Sequence, residues 1–428
     1  MSILQNFPEE GPTLNLNFAG SRTLDPRITF TRTQTTSNGS SYMDKNGLIR
    51  YAGPDAPRFD HRYVNGEIES LGLLVEEART NLKIRSEELQ SDFGRARITT
   101  ISENEIISPD GLQTADGIVP NATLSAHYMD KVFTSTSGIT TSQNICCSAF
   151  FKKGVGGDVW LQIYEESGNA YHGVQFNFET ETLTFRNSNE YITGEGVTTD
   201  YGVIKYPNGW YRLWVAGYPN TTTTGRRYRI RLTDASGSLD FSGDAVSSYV
   251  YSWGVQVEVG AFPTSYIPTL GSTVTRNQDR VLIDGERFLD WYNPDEGTFF
   301  CNVNSPRGNV IFGVGDTFDN TIYTTAGGSF SGAIRSGGTG TSLSGTISSS
   351  GISKIAFGVK TDNSALCING QITGTSLTAD MPINPVRLTL GASPWSPTAF
   401  GNQVDGTISQ LSYYPTRLTN AQLQTLTK

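Results

Sequence analysis

Two neighbouring stretches of the sequence alternate apolar and polar side chains in a way that suits sugar binding. Within 159–164 and 171–178 the apolar residues take every second position, so each stretch predicts a strand with one face toward a core. The turn between them, EESGNA, predicts that the strands pair as a hairpin. The other face is then predicted to carry six side chains: Trp160, Gln162, Tyr164, Tyr171, Gln175 and Asn177. Aromatic rings stack on pyranose rings and amides hydrogen-bond to hydroxyls, so this face predicts glycan binding. Packing under a neighbouring domain or subunit is the alternative.

A second candidate is a row of arginines. Arg227, Arg229 and Arg231 alternate with Tyr228 and two aliphatic residues, which predicts a strand with three guanidinium groups on its outer face. Charges on a strand ordinarily prevent unwanted edge pairing. In a chain of net charge −9, they could also bind an acidic polysaccharide or a neighbouring subunit.

Two aromatic residues in the last third of the chain are loop candidates for glycan binding. Tyr323 and Trp395 lie near predicted loops, and the flanking prolines of SPWSP stiffen the loop that holds Trp395.

The GDTFDN stretch offers three side-chain oxygen donors: Asp316, Asp319 and Asn320. These could ligate Ca²⁺, but the spacing lacks a full calcium loop and fits an Asx-turn. The sequence therefore predicts no cofactor, with calcium as the alternative. Three other tryptophans, Trp210, Trp214 and Trp253, lie among apolar residues and are predicted core.

Catalytic residues are not predicted. The chain has three histidines, and we expect His61 and His172 to be buried and hydrogen-bonded rather than reactive. No nucleophile elbow, zinc-protease or phosphate-loop motif occurs. Glycoside hydrolysis needs two carboxylates across a cleft, and the Glu179–Glu181 pair falls in a predicted turn. We expect a protein that is not an enzyme.

The composition points to many short strands. Of 428 residues, 46 are glycine and 11% are aromatic, a combination typical of strands and tight turns and unlike a helical bundle. The acidic balance argues against nucleic-acid binding. No run of 18 apolar residues occurs, so membrane insertion is not expected. The first residues, MSILQNFPEEGP, lack a secretory signal pattern, and the four cysteines lack disulfide or metal spacing. We expect synthesis in a reducing cytosol and free cysteines.

The strand pattern predicts an all-β protein with tandem jelly-roll or β-sandwich domains. We assign 1–82 to an extended collar segment, 83–275 to one jelly roll and 286–428 to a second sandwich. The collar has little core of its own, which predicts packing on another domain or chain and, with it, oligomers. Within it, 71–81 could form a short helix. An Asn369-Gly370 hairpin and a helix over 418–427 are also predicted.

Three stretches resemble known proteins. LDPRITFTR (24–32), NGLIRYAGPDAPRFDH (46–61) and ESLGLLVEEARTNL (69–82) together resemble the N-terminal signature of bacteriophage virion fibre and tail structural proteins. The segment 256–276 resembles the end of a carbohydrate-binding-module-like jelly roll in the same proteins. The segment 406–427 resembles the end of a concanavalin A-like (laminin G-like) domain.

The resemblance implies a non-catalytic fibre or spike protein that attaches a virion to host surface polysaccharide. It also implies a homotrimer, other virion proteins as partners, and a virion location after synthesis in the host cytoplasm. A purely structural head-fibre, decoration or tail component, whose lectin-like folds serve assembly, is the alternative. A capsule-depolymerising glycanase is the third possibility.

Overall fold

Strands dominate the protein. In the computed structural model they make up 56% of the described residues and helices 6%, which confirms the predicted all-β class with tandem sandwiches. The structure describes residues 8–33, 39–132, 144–165, 170–187, 200–217, 226–308, 310–326, 329–345, 351–395 and 403–428. Within these ranges no helix has the length and apolar character needed to cross a bilayer.

The described residues between 8 and 82 form short strands and one helical turn. These are β1 Leu14–Asn17, α1 Phe18–Ser21, β2 Thr29–Thr31, β3 Ser41–Met43, β4 Ile49–Tyr51, β5 Arg58–Val64, β6 Glu67–Val75 and β7 Arg79–Asn81. The predicted helix over 71–81 is wrong, since β6 continues to Val75. Residues 71–75 are all buried, and a continuous apolar run of this kind suits a strand that is covered on both faces.

Two sheets face each other in the middle of the chain and form what we call the middle sandwich. Its elements are α2 Leu89–Asp92, β8 Gly94–Ala96, β9 Ile98–Ile106, β10 Ala115–Pro120, β11 Ser125–Ala126, β12 Tyr128–Val132, β13 Ile145–Lys153, β14 Asp158–Glu165, β15 Ala170–Asn177, β16 Thr182–Asn187, β17 Asp200–Lys205, β18 Trp210–Gly217, β19 Arg226–Thr233, β20 Asp240–Phe241, β21 Val250–Val259 and β22 Val274–Arg276. One sheet has the strand order β17-β18-β13-β21-β10-β9 and the other β16-β15-β14-β19-β12-β8. Alternate residues of both sheets, such as Leu161 and Leu213, meet in a fully buried core.

A second pair of sheets forms the C-terminal sandwich. It adds β23 Arg280–Asp284, α3 Glu286–Leu289, β24 Glu296–Gly308, β25 Val310–Thr317, β26 Asn320–Thr325, β27 Phe330–Ser336, β28 Thr339–Gly345, β29 Ile352–Lys360, β30 Ser364–Ile368, β31 Gln371–Ser376, β32 Arg387–Leu390, β33 Val404–Tyr414 and α4 Asn420–Leu426. One sheet runs β31-β30-β29-β24-β33-β6-β5, and β1 also pairs with β33. The other runs β2-β23-β32-β25-β26-β27-β28.

The N-terminal strands complete the C-terminal sandwich. Strands β1 and β6 pair with β33, while β2 pairs with β23. Leu14, Phe18 and Leu73 are buried in the same core as Phe299 and Phe357. The apolar side chains that predicted a partner subunit are therefore covered by this same chain. The predicted trimer consequently rests on the family resemblance alone.

A buried cluster of charges joins these parts of the chain. The carboxylate of Asp279 binds Arg32 at 2.9 Å and Arg58 at 2.5 Å, while Glu76 binds Arg58 at 2.5 Å and Arg276 at 2.9 Å. Burial alone would raise the pKa of the Glu76 carboxyl, but the guanidinium groups of Arg276 and Arg58 lower it to about 2. The stretches that carry the family resemblance thus meet here, in a structural role.

The structure also bears on the predictions made from short stretches of sequence. Asn369 and Gly370 both have positive φ and join β30 to β31, which confirms the hairpin. The Thr419 side chain caps α4 in a capping box with Gln422. All four cysteines are free and buried, and burial raises the pKa of each thiol: Cys146, Cys147, Cys301 and Cys367. This agrees with the predicted free cysteines.

Candidate functional site

The two sequence-predicted binding candidates lie on one surface. Strand β14 pairs with β15 on one side and with β19 on the other, so the predicted hairpin is confirmed. Trp160 stands opposite Gln175 and Arg231 in these ladders, and Gln162 stands opposite Arg229. We call this outward side of the sheet the arginine face. Its central side chains are Trp160, Gln162, Tyr164, Tyr171, Gln175, Arg227, Arg229 and Arg231.

The predicted exposure of this face is wrong at its centre. Trp160 is 2% exposed, Gln162 1% and Gln175 7%, while Tyr164 and Tyr171 are half-buried. The cause is Gly173, which lies opposite Gln162 and lets the indole of Trp160 fold across the neighbouring strand. A Cβ at Gly173 would lie 2.7 Å from the Trp160 Nε1 atom. Trp160 is therefore part of the floor of this face and not an exposed plate.

Arg229 is held within the face by aromatic rings and a carboxylate. Its guanidinium lies 3.6 Å from the ring centre of Tyr164 and 4.0 Å from that of Tyr128. Its Nε and Nη2 atoms donate to the carboxylate of Asp130 at 3.0 and 2.7 Å. Arg227 donates to the other oxygen of Asp130 at 3.0 Å. One carboxylate thus serves two arginines, and the predicted row of exposed charges is largely engaged within the protein.

Arg231 is the less neutralised member of the row. The carboxylate of Asp240 lies 3.9 Å away, and the Asp240 side chain is 70% exposed. Burial lowers the pKa of the Arg231 guanidinium, and the nearby Arg229 charge lowers it further. The Arg231 Nε atom has no hydrogen-bond partner within the described residues. This side chain therefore retains the capacity to bind an anion.

Unpaired polar atoms lie on the same face as Arg231. Trp160 Nε1, Gln162 Oε1 and Gln175 Oε1 are buried and lack hydrogen-bond partners in the described part of the chain. A buried polar atom without a partner costs about 1–3 kcal/mol, so such atoms mark places where an ordered water completes the hydrogen bonding. All three atoms are covered by the protein, so a ligand on the surface of this face does not reach them.

Asn177 is used in a turn. Its amide donates to Asp158 at 2.7 Å, and its side-chain oxygen accepts hydrogen bonds from the backbone and hydroxyl groups of Thr180. The Asp158 carboxylate in turn accepts from the backbone N–H of Phe178. The predicted role of Asn177 in glycan contact is thus weakened, because the protein itself occupies both ends of its amide.

Sequence analysis missed three contributors to the arginine face: Tyr128, Asp130 and Arg186. Strand β12, which carries Tyr128 and Asp130, was not predicted, although Met129 between them is fully buried and fits a period of two. Arg186 is exposed on β16 opposite Gly173. Only the pairing of β12 with β19 reveals Asp130 as the partner of the arginines, and this pairing spans about a hundred residues of sequence.

The histidines have structural roles as expected. His172 Nε2 lies 2.8 Å from the carbonyl oxygen of Ala216, and His61 Nδ1 lies 2.9 Å from that of Met43. Glu181, of the carboxylate pair considered for hydrolysis, binds the phenol of Tyr211 at 2.7 Å. Across the described ranges, no three His, Cys, Asp or Glu side chains converge as a metal site would require.

The loop candidates of the C-terminal sandwich lie together. The rings of Tyr323 and Trp395 are 5.2 Å apart, and Phe318 packs against the same indole at 5.3 Å. In the proposed calcium stretch, Asp319 pairs with Arg335 at 3.4 Å. The Asn320 side-chain oxygen accepts from two backbone amides. Both residues therefore have protein partners.

The predicted core tryptophans are confirmed, with one refinement. Trp210, Trp214 and Trp253 are buried, but they lie on the outer side of the β13 sheet and not between the two sheets. Trp253 packs there against Phe150 and Tyr266. Ile49 of the N-terminal segment and Tyr266, which follows β21, therefore cover this side of the middle sandwich around Trp253.

The chain was compared with known proteins. No family model and no curated protein matches the sequence. Among solved structures, it is similar to the carbohydrate-binding module CBM40 of a Ruminococcus gnavus sialidase bound to α2,3-sialyllactose, with 15% identity and a TM-score of 0.29 over 32% of this chain and 84% of that one. It is also similar to domain 4 of the Geobacillus stearothermophilus arabinanase AbnA with arabinotriose, with 16% identity and a TM-score of 0.30 over 35% and 73% of the two chains. Mouse laminin α1 domains LG4-5 match at 8% identity and a TM-score of 0.23 over 68% and 86%.

Proposed function

We propose that this protein is a non-catalytic attachment protein of a bacteriophage particle that binds host surface polysaccharide through the arginine face. The observation that carries the proposal is Arg231, whose side chain is still 18% exposed and whose carboxylate neighbour among the described residues, Asp240, lies 3.9 Å away. An anionic group on a ligand supplies a closer partner for this guanidinium than Asp240 does.

The ligand class follows from these groups. A carboxylate or sulfate on a sugar pairs with Arg231, because a guanidinium binds planar anions through two donors. The half-buried rings of Tyr128 and Tyr171 line the approach. Since the whole chain carries a net charge of −9, this local positive site determines where a polyanion binds.

The particle assignment comes from the sequence resemblance in residues 24–82. It includes a virion location, other virion proteins as partners, and a homotrimer. Sedimentation of the purified chain at micromolar concentration checks the trimer, and a monomer there removes that part of the proposal. Localisation in an electron-microscopy map of the particle separates tail from capsid.

A glycan array that carries acidic and neutral bacterial surface polysaccharides tests the binding function. We expect retention of acidic polysaccharides by the wild-type chain. Arg231→Gln should weaken binding about tenfold or more, as expected for loss of a charged hydrogen bond. Arg50→Gln removes an exposed arginine of the N-terminal segment and should bind normally. A silent array, or equal binding by Arg231→Gln, overturns the proposal.

A structural role without ligand is the second candidate. It is favoured by one observation: Asp130 and two tyrosine rings already engage Arg227 and Arg229. In that case, particles that carry Arg231→Gln adsorb to host cells normally. The third candidate, a glycanase, predicts release of new reducing ends from host polysaccharide by the wild-type protein, and our proposal predicts none.

A further inference from the structure

Trp395 differs from every other tryptophan of the chain. The other five are buried: Trp160, Trp210, Trp214, Trp253 and Trp291. Trp395 is half-buried at the surface of the C-terminal sandwich. Its neighbour Phe318 is 46% exposed, and Tyr323 is half-buried. We call Phe318, Tyr323, Arg335 and Trp395 the tryptophan patch.

The position of Trp395 is set by a glycine in the sheet beneath it. Pro394 is buried against β25 at Gly313, where a Cβ would meet the Pro394 Cδ atom at 2.5 Å. Gly313 pairs with Tyr323 on β26, so the residue that follows Pro394 lies beside the Tyr323 ring. The small residue at 313 therefore allows the loop to lie on the sheet and fixes the indole.

Phe318 is oriented by a charged side chain that is itself engaged. The Arg335 guanidinium lies 4.0 Å from the centre of the Phe318 ring. Its Nη2 donates to the carbonyl oxygen of Gly338 at 3.2 Å and to Asp319 at 3.4 Å. Because Arg335 is paired with a carboxylate, the patch has little net charge and has no reason to prefer anions.

Small hydroxyl side chains continue the surface from the aromatic rings. Tyr323 pairs with Ala333 on β27, and Ala333 pairs with Ser342 on β28, so these three residues share the outward face. Ser344, two residues along β28 on the same face, is exposed like Ser342. The partly exposed aromatic rings at one end of this surface suit the apolar face of a sugar ring.

We propose that the tryptophan patch is a second saccharide site, specific for uncharged sugars. A pyranose ring stacks on the Trp395 indole and meets the Phe318 ring, which stands at 77° to the indole. This site goes beyond the proposed function, because it lies on the other sandwich and does not use Arg231. The chain would then engage a host polysaccharide at one acidic and one neutral unit, which raises avidity without new contacts at either site.

The burial of the other five tryptophans makes a selective experiment possible. Acrylamide quenches exposed indoles, so in the folded protein it reports on Trp395. Tetrasaccharides of glucose, galactose and mannose are added as neutral probes. We expect at least one of them to protect the quenchable fluorescence, and Trp395→Phe to lose most of that quenchable signal. If none of the three protects Trp395, the proposal is overturned.

Variants then separate the patch from the arginine face. By calorimetry with the protecting tetrasaccharide, Trp395→Leu and Phe318→Leu should each bind at least about tenfold more weakly, because a stacking partner is lost. Trp395→Phe should retain binding. Tyr201→Leu removes an aromatic ring of similar exposure on the middle sandwich and should change nothing.

Arg231→Gln should also bind the neutral tetrasaccharide normally, so that a failure at either site is recognised on its own. If Trp395→Leu does not fold, the exposed Phe318→Leu decides the result. Normal tetrasaccharide binding by Phe318→Leu contradicts the proposal.

Discussion

The arginine face and the tryptophan patch are both aromatic outer surfaces of a β-sandwich, but they are built in opposite ways. In the arginine face the largest ring, Trp160, is buried under its neighbours, and Arg229 stacks on tyrosines and shares Asp130 with Arg227. In the tryptophan patch the rings remain partly exposed, and Arg335 pairs with Asp319 at the surface. The side chains of the arginine face are packed as part of the middle sandwich. The rings of the tryptophan patch lie on the outer surface of the C-terminal sandwich, and the sheet beneath them does not depend on them for its packing.

This difference has a consequence for mutational tests. Residues of the arginine face contribute to folding as well as to any ligand contact, so loss of binding in a variant there can reflect loss of structure. Residues of the tryptophan patch can be changed at small structural cost. Matched substitutions in the two regions, arranged by expected effect, therefore test whether the contrast is real.

The largest difference is expected for the tryptophans. Trp160→Ala should lower the free energy of unfolding by about 3–5 kcal/mol, because it leaves a cavity in a packed layer. Trp395→Ala should cost about 1 kcal/mol, because the indole is half exposed and packs against rings on its sides. Equilibrium urea unfolding measures both. Equal losses in the free energy of unfolding for the two variants would mean that the arginine face and the tryptophan patch do not differ in their contribution to folding.

A smaller difference is expected for the carboxylates. Asp130→Asn leaves two guanidinium groups without their partner in a largely buried position and should cost about 3 kcal/mol. Asp319→Asn breaks one exposed pair with Arg335 and should cost about 1 kcal/mol or less. Both substitutions keep the side-chain shape, so denaturation midpoints compare charge alone. A stable Asp130→Asn variant would show that the arginines do not depend on this carboxylate.

Much of the fold could be predicted because the signals are local. A period of two placed Val159, Leu161 and Ile163 toward a core, and Asn369-Gly370 marked a hairpin, as the structure confirms. Strand parity also assigned Trp160 and Arg231 correctly to outward positions of their strands. What parity cannot tell is whether a second layer of side chains covers an outward position.

The rest depended on contacts between distant parts of the sequence. Gly173 allows Trp160 to fold over the neighbouring strand, and this is visible only once β15 is known to pair with β14. Asp130 becomes the partner of Arg229 through strand pairing across about a hundred residues. Likewise, Phe18 and Leu73 had no predicted core because their partners lie beyond residue 280. Long-range pairing of this kind leaves no periodic signal in the chain.

The smallest expected effect, and the one that separates the two surfaces by chemistry, is the response of binding to salt. At an ionic strength of 0.1 M, charges separated by more than about 10 Å are largely screened, and higher salt weakens closer pairs that remain open to solvent. An acidic polysaccharide held by Arg231, whose side chain is still 18% exposed, should therefore lose several-fold in affinity between low and high salt. A neutral tetrasaccharide on the tryptophan patch should change little, because stacking and neutral hydrogen bonds depend weakly on ionic strength. Calorimetric titrations of the wild-type chain at several sodium chloride concentrations measure both slopes on the same sample. Parallel slopes for the two ligands would mean that charge does not distinguish the surfaces, and a flat slope for the acidic ligand would remove Arg231 from its recognition.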